Sequence, residues 1–244
     1  MSFIVIIPSR FASTRLPGKP LADIAGKPLI AHVVDRASES EAARVIVATD
    51  DQRIAAALEA YDCEVCMTRE DHQSGSDRLA EVVDSLGIAD DQIIVNVQGD
   101  EPAIPARLVN EVAASLQSAP QAVMSTAAHA IKSADDFENP NVVKVVIDQT
   151  GKALYFSRSP VPHSKDSDFS QAWHHVGIYA YRAEFLKRYA HLQPSNLESS
   201  ESLEQLRVMD NGEQIMVQKI DYDAGVGVDT PEDLERARSL LAND

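Results

Sequence analysis

Positions 10 to 19 hold Arg10, Ser13, Thr14, Arg15, Gly18 and Lys19, and no acidic residue enters before Asp23. That set suits a polyanion. Guanidinium forks and a lysine ammonium neutralise phosphate oxygens, and a glycine-containing loop brings backbone N–H groups close to them. The pattern is not a P-loop, because no Gly-Lys-Ser/Thr opens a helix here. Two carboxylates answer it from far along the chain. Asp100 follows Gly99 within Asn96-Val-Gln-Gly-Asp-Glu-Pro102, and Asp229 directly precedes Thr230-Pro-Glu-Asp233. A carboxylate facing a bound polyphosphate repels it unless a divalent cation lies between them. The combination points to metal-assisted chemistry on a phosphate chain. Charge alone also fits a solvated basic loop, and spacing alone lets Asp100 and Glu101 cap a helix near Pro105 to Leu116.

The elements that must position these groups follow from periodicity. Phe3-Ile-Val-Ile-Ile is a β-branched run stopped by Pro8, so the cationic loop starts at the carboxyl end of a core strand, where open α/β sheets bind ligands. Helical spacing then covers Pro28 to Ala37, Arg44 to Thr49 reads as a strand, and Asp51 to Ala60 as a helix. A short strand over Glu64 to Met67, a helix over Ser76 to Leu86 and the strand Gln92 to Val97 follow. This alternation predicts a parallel sheet with right-handed crossovers and helices on both faces. Val142 to Ile147 and Ala153 to Phe156 break the order as two strands around a turn at Asp148 to Lys152, which suggests a small mixed lobe. Near the end, Thr230 is read as an N-cap, Pro231 as the first helical residue and Asp233 as the capping-box partner. Asp229 is the residue that this cap leaves over.

The composition narrows the partners. The chain has 244 residues, 44% of them hydrophobic, enough for one large core or one core with a small lobe. Its formal net charge of −16 repels nucleic acid, so the few cations of the loop imply focused anion binding. No secretory signal pattern and no apolar run of membrane-spanning length is present, which leads us to expect a cytoplasmic protein without membrane insertion. Cys63 and Cys66 form a CxxC in a stretch read as a strand, where residues three apart face opposite sides; they are expected to be packing residues.

Taken in order, the motifs form a set. The loop from Ser9-Arg10 to Lys19-Pro20, His72-Gln-Ser-Gly-Ser-Asp-Arg78, Asn96 to Pro102, Leu154-Tyr-Phe-Ser-Arg158, His175-Val-Gly-Ile-Tyr179, Leu203-Glu-Gln-Leu-Arg207 and Gly227 to Asp233 span essentially the whole chain. Together they resemble the 3-deoxy-manno-octulosonate cytidylyltransferase (CMP-Kdo synthetase) family. The resemblance implies a single domain over 1–244, a mostly parallel mixed sheet of the nucleotide-diphospho-sugar transferase type, and a dimerisation and acceptor lobe around 140–210. It further implies a homodimer that joins CTP to the eight-carbon sugar acid Kdo, giving CMP-Kdo and pyrophosphate for lipopolysaccharide synthesis.

Carried over by motif, Arg10, Ser13, Arg15 and Lys19 would hold the triphosphate, with Lys19 among the catalytic residues. Ser74, Gly75 and Arg78 would help enclose the nucleotide. Asp100 and Asp229 would bind catalytic Mg²⁺, and a second Mg²⁺ would rest mainly on triphosphate oxygens. Gln98, Arg158, His175, Tyr179, Glu204 and Gln205 match the family's acceptor positions. Read without the resemblance, His175 also fits a satisfied core histidine, and Leu203 to Val208 fits an amphipathic helix. Two departures bear on the acceptor. The segment between Arg158 and His175 is shorter than in many members, and Ser199-Ser-Glu-Ser202 replaces a bulkier or basic pattern. They keep an 8-amino-8-deoxy analogue of Kdo as a rival acceptor. CMP-sialic acid synthesis and a nucleotide sensor without turnover are the more distant readings.

Overall fold

The computed structural model describes residues 2–12, 16–72, 74–163 and 169–242. Strand β1 (Phe3–Ser9) runs into a loop that ends in a 3-10 turn (Lys19–Leu21), followed by the small hairpin of β2 (Asp23–Ile24) and β3 (Lys27–Pro28). Next come α1 (Leu29–Ser38), β4 (Ala42–Thr49), α2 (Gln52–Ala57), β5 (Glu64–Met67), α3 (Gly75–Ser85), β6 (Ile93–Asn96) and α4 (Ala106–Gln117). The second half continues with β7 (Met124–Ala130), α5 (Ala134–Glu138), β8 (Lys144–Ile147), β9 (Ala153–Ser157) and β10 (Trp173–Arg182). It closes with α6 (Ala183–Tyr189), α7 (Asn196–Glu201), α8 (Gln205–Asp210), β11 (Ile215–Ile220) and α9 (Pro231–Leu241).

The main sheet has the order β11-β7-β10-β6-β1-β4-β5, with β8 paired to β10 and β9 to β8. Strand β1 is parallel to both β4 and β6, while β10 lies antiparallel between β6 and β7. The sheet is therefore mixed, mostly parallel and covered by helices on both faces; the alternating pattern predicts its parallel part and the family resemblance its mixed character. Its apolar runs are continuous because both faces are buried. Val5 and Ile7 pack into one core with residues of α1 and α4, and Ile4 and Ile6 into a second core with residues of α3 and α6.

Several local details differ from the sequence expectation. Helix α2 stops at Ala57, because the chain tightens into three-residue turns at Leu58 and Tyr61. Asp229 sits on irregular backbone directly before the Thr230 cap. The Val228 N–H donates to the Asp100 carbonyl at 2.8 Å and carries that segment to the sheet edge. Strands β8 and β9 form the expected excursion, their turn held by Asp148, whose carboxylate accepts from the Thr150 and Lys152 N–H groups. The capping box of α9 is formed as read, with Thr230 Oγ1 accepting from the Asp233 N–H at 3.2 Å.

Candidate active site

The carboxyl ends of β1 and β6 open into a cavity of about 850 Å³. At its mouth Lys19 gathers the two carboxylates. Gly18, at φ +71, turns the chain into the left-handed region and starts the 3-10 turn that aims Lys19 inward. Lys19 Nζ donates to Asp100 Oδ2 at 2.6 Å, to Asp229 Oδ1 at 3.2 Å and to the Val228 carbonyl at 3.0 Å. Glycine makes the approach of the last segment possible. A Cβ on Gly225, where φ is +94, would lie 2.6 Å from the Ala103 carbonyl oxygen, and one on Gly227 would lie 2.8 Å from Glu101 Oε1.

On the basic-loop side, Arg10, Lys19, Ser74, Gly75 and Arg78 all line the cavity, whereas Ser13 and Arg15 lie outside the described residues. Ser74 is the N-cap of α3, its hydroxyl accepting from the Asp77 N–H at 3.1 Å. Arg78 is almost fully buried, and its guanidinium binds Thr68 Oγ1 and, at 2.7 Å, Asp50 Oδ2. It braces the wall through those two partners.

The cavity wall also carries polar side chains from β10, α8 and the loop after β6. Gln98, Tyr179, Glu204 and Gln205 line it. Tyr179 stands opposite Asn96 across the β6–β10 ladder and is brought there by a bulge after Val176. Thr126 holds that bulge, with Oγ1 at 2.8 Å from the Ile178 carbonyl and 3.0 Å from His175 Nε2. Burial, followed by the nearby Glu198, raises the Glu204 carboxyl, whose Oε2 accepts from Ser76 Oγ at 3.4 Å.

Two expected acceptor contacts are not on the cavity wall. His175 is packed among Phe156, Tyr179 and Thr126, and burial pushes its imidazole down to about 3. Arg158 turns its guanidinium onto the carbonyls of Glu201 at 2.8 Å, Pro140 at 3.0 Å and Ser202 at 3.4 Å. Glu201 completes this clamp by accepting from Ser157 Oγ and the Arg158 N–H. Both residues support the wall from behind. Ser199 and Ser200 lie in α7, which ends at Glu201 with Ser202 in the left-handed region, so Ser200 and Glu204 share no helix face.

The carboxylate pair fits a hard divalent cation. Two carboxylate oxygens already converge on one ammonium, which suits a Mg²⁺ site completed by phosphate oxygens rather than an all-protein cage. Among the described residues no group of three or more Asp, Glu, His or Cys is placed to hold a metal ion. Cys63 and Cys66 belong to no such group, and burial raises both thiols. Glu101 is the acidic neighbour that sequence reading passed over as a cap. Burial, then Asp100 and Asp229, push its carboxyl up to about 8. Its position directly after Asp100 was the available signal.

A mostly parallel α/β sheet with a cation and two carboxylates converging at its carboxyl edge has the parts that metal-assisted transfer on a phosphate chain needs, the chemistry of a nucleotidyltransferase. Residues 4–215 match the cytidylyltransferase family model. The chain is 55% identical to the 3-deoxy-manno-octulosonate cytidylyltransferase of Yersinia enterocolitica and 52% identical to that of Histophilus somni, each over the full length of both chains. A solved CMP:2-keto-3-deoxy-manno-octonic acid synthetase complexed with CTP matches it at 45% identity and a TM-score of 0.94, covering 100% of this chain and 99% of that one. The chain belongs to the 3-deoxy-manno-octulosonate cytidylyltransferases.

Proposed function

We propose that this enzyme transfers the cytidylyl group of CTP to 3-deoxy-manno-octulosonate (Kdo), supplying CMP-Kdo for lipopolysaccharide synthesis. The anomeric hydroxyl of the sugar acid attacks the α-phosphorus in line. A new P–O bond forms, the bond to the β-phosphate oxygen breaks, pyrophosphate leaves and the hydroxyl proton passes to solvent. The observation that carries this reading is the contact of Lys19 with both Asp100 and Asp229 in a cavity that is also lined by Gln98, Tyr179, Glu204 and Gln205.

Arg10 and Lys19 neutralise the triphosphate, with Ser13 and Arg15 on the same loop, while Ser74 and Gly75 border the nucleotide. Asp100 and Asp229 would hold Mg²⁺, which supplies charge neutralisation at phosphate oxygens and acidifies a bound hydroxyl. Lys19 keeps the two carboxylates converged, so their geometry is set before substrate arrives. Gln98, Tyr179, Glu204 and Gln205 hold the sugar acid; Arg158, His175 and Arg78 keep the surrounding wall in place. Among the described residues no helix is long and apolar enough to cross a membrane, and we assign the enzyme to the cytoplasm. We further assign it one domain over residues 1–244 and a homodimeric state, with the segment around 140–210 providing the contact.

The test is pyrophosphate release with each nucleoside triphosphate against Kdo, its 8-amino analogue and sialic acid. The expected result is strong Mg²⁺-dependent release for CTP with Kdo. Preferential turnover of the 8-amino analogue or sialic acid would overturn the acceptor assignment, and absence of turnover with all three would overturn the reaction.

A further inference from the structure

Phe11 follows Arg10 at the start of the basic loop, an aromatic residue in a segment otherwise built for phosphate. Its ring lies against the end of the same loop: a Cβ added at Gly18 would come within 3.3 Å of Phe11 Cζ. The ring also packs against the core that holds α1. Phe11 therefore ties the start of the loop to the residue that precedes Lys19.

The ring is covered by a cation from a different part of the chain. Arg53, the second residue of α2, places its Cζ 3.4 Å from the Phe11 ring centroid. Asp51 holds that guanidinium by two bonds, Nε donating to Oδ1 at 2.9 Å and Nη2 to Oδ2 at 2.6 Å. Asp51 is itself fixed. Its Oδ1 accepts from the Arg53 N–H at 2.8 Å as the α2 N-cap, and its own N–H donates to Thr49 Oγ1 at 3.2 Å. A planar fork with a two-point partner loses less freedom on ordering than a solitary exposed side chain would. The pairing also cancels most of the charge that Arg53 could exert on a distant phosphate, so what remains for it is the stack on Phe11.

We propose that Arg53 is a positioning residue for the triphosphate loop: stacked on Phe11, it keeps the ring against Gly18 and so keeps Lys19 aimed at Asp100 and Asp229 before CTP arrives. Arg53 needs no contact with the nucleotide to do this. Two successive aspartates beyond β4 then brace both sides of the nucleotide end, Asp50 through Arg78 and Asp51 through Arg53. The inference rests on the proposed function for the identity of the nucleotide.

CTP binding with Mg²⁺ and without acceptor, followed by steady-state kinetics, tests it on Arg53→Ala, Arg53→Lys, Phe11→Leu and the double variant. The Arg53 side chain is 61% exposed, so its variants should fold, and a melting curve checks this. Arg53→Ala should raise both Kd and KM for CTP about 3- to 5-fold and leave KM for Kdo within about 1.5-fold. Arg53→Lys should recover at least about half of that loss, because an ammonium keeps its attraction for the ring face. On the Phe11→Leu background, Arg53→Ala should cost no more than about 1.5-fold further. Wild-type CTP affinity in Arg53→Ala overturns the inference, and so does an equal rise in KM for CTP and Kdo. A full Arg53→Ala loss that persists without the Phe11 ring also overturns it, by making Arg53 a direct partner of the phosphates. If the wild-type enzyme neither binds CTP nor releases pyrophosphate from it, the proposed function fails first and this inference falls with it.

Discussion

Lys19 Nζ stands 3.2 Å from Asp229 Oδ1 although 210 residues separate them in the chain. The same ammonium lies 2.6 Å from Asp100 Oδ2, and it is only 14% exposed. One cation thus holds two carboxylates that would otherwise repel each other. The contact joins the basic loop after β1 to both acidic segments.

Removing either carboxylate should abolish most turnover without unfolding the protein. Asp100→Asn and Asp229→Asn keep the shape and remove one charge from the proposed metal site, so kcat should drop by about 100-fold or more. Pyrophosphate release titrated with Mg²⁺, alongside a melting curve, checks this. Near-normal activity in one variant would remove that residue from the assignment.

Lys19→Met should separate function from folding in a different way. The long apolar stem is retained while the charge is lost, leaving Asp100 and Asp229 without their shared cation. We expect turnover to fall about 100-fold, KM for CTP to rise, and stability to change by no more than about 1 kcal/mol, because both carboxylates reach solvent. Steady-state kinetics and urea unfolding give the two numbers.

Gly225→Ala tests the backbone route to Asp229. Its φ of +94 and the 2.6 Å approach to the Ala103 carbonyl leave no room for a Cβ. The cost should be about 2–4 kcal/mol of stability, with a weaker response to Mg²⁺ as Val228 and Asp229 shift. An alanine variant with wild-type stability would show that the segment moves aside freely.

Glu201→Gln should act on the acceptor alone. Glu201 accepts from Ser157 and Arg158, while the Arg158 guanidinium binds the Glu201 and Ser202 carbonyls just before Glu204. Weakening this clamp should raise KM for Kdo about 3- to 10-fold and leave KM for CTP unchanged. Equal effects on both substrates would place the clamp's influence elsewhere.

Acid should weaken the β7–β10 region. Burial and the facing His129 push His174 down to about 4, against the pull of Asp136 and with the push of Lys144. The unfolded chain therefore takes up this proton near pH 6.5 while the folded one refuses it down to about pH 4. Stability contributed by neutral His174 is fully present above pH 6.5 and lost as pH falls through that window. Glu101, pushed up to about 8, works in the opposite sense over part of the same range, since its folded form prefers the proton. The effect is therefore read as a difference: from pH 7 to 5, His174→Gln should lose about 2 kcal/mol less stability than wild type in denaturant titrations. Parallel curves would refute the assignment.

Much of this was legible in the chain alone. The continuous apolar run of β1, the alternation of strands and helices as far as α4 and the Thr230–Asp233 cap are local patterns, set by side-chain periodicity and by backbone groups seeking partners within a few residues. The conjunction of a cationic loop with Asp100 and Asp229 was readable for the same reason, since charge types and helix caps are properties of short segments. Tertiary structure alone decided which atoms meet. Lys19 reaches its two carboxylates across 81 and 210 residues because Gly18, Gly225 and the Val228 to Asp100 backbone bond steer three loops to one point. Arg158 and His175 carry the residue types of substrate ligands, yet they face carbonyls and aromatic rings behind the wall, because a long or buried side chain takes the partners that packing leaves within reach. Asn96 lies in the strand read over Gln92 to Val97, and only the closed sheet, with Ile6 on one side and Tyr179 on the other, buries its side-chain oxygen.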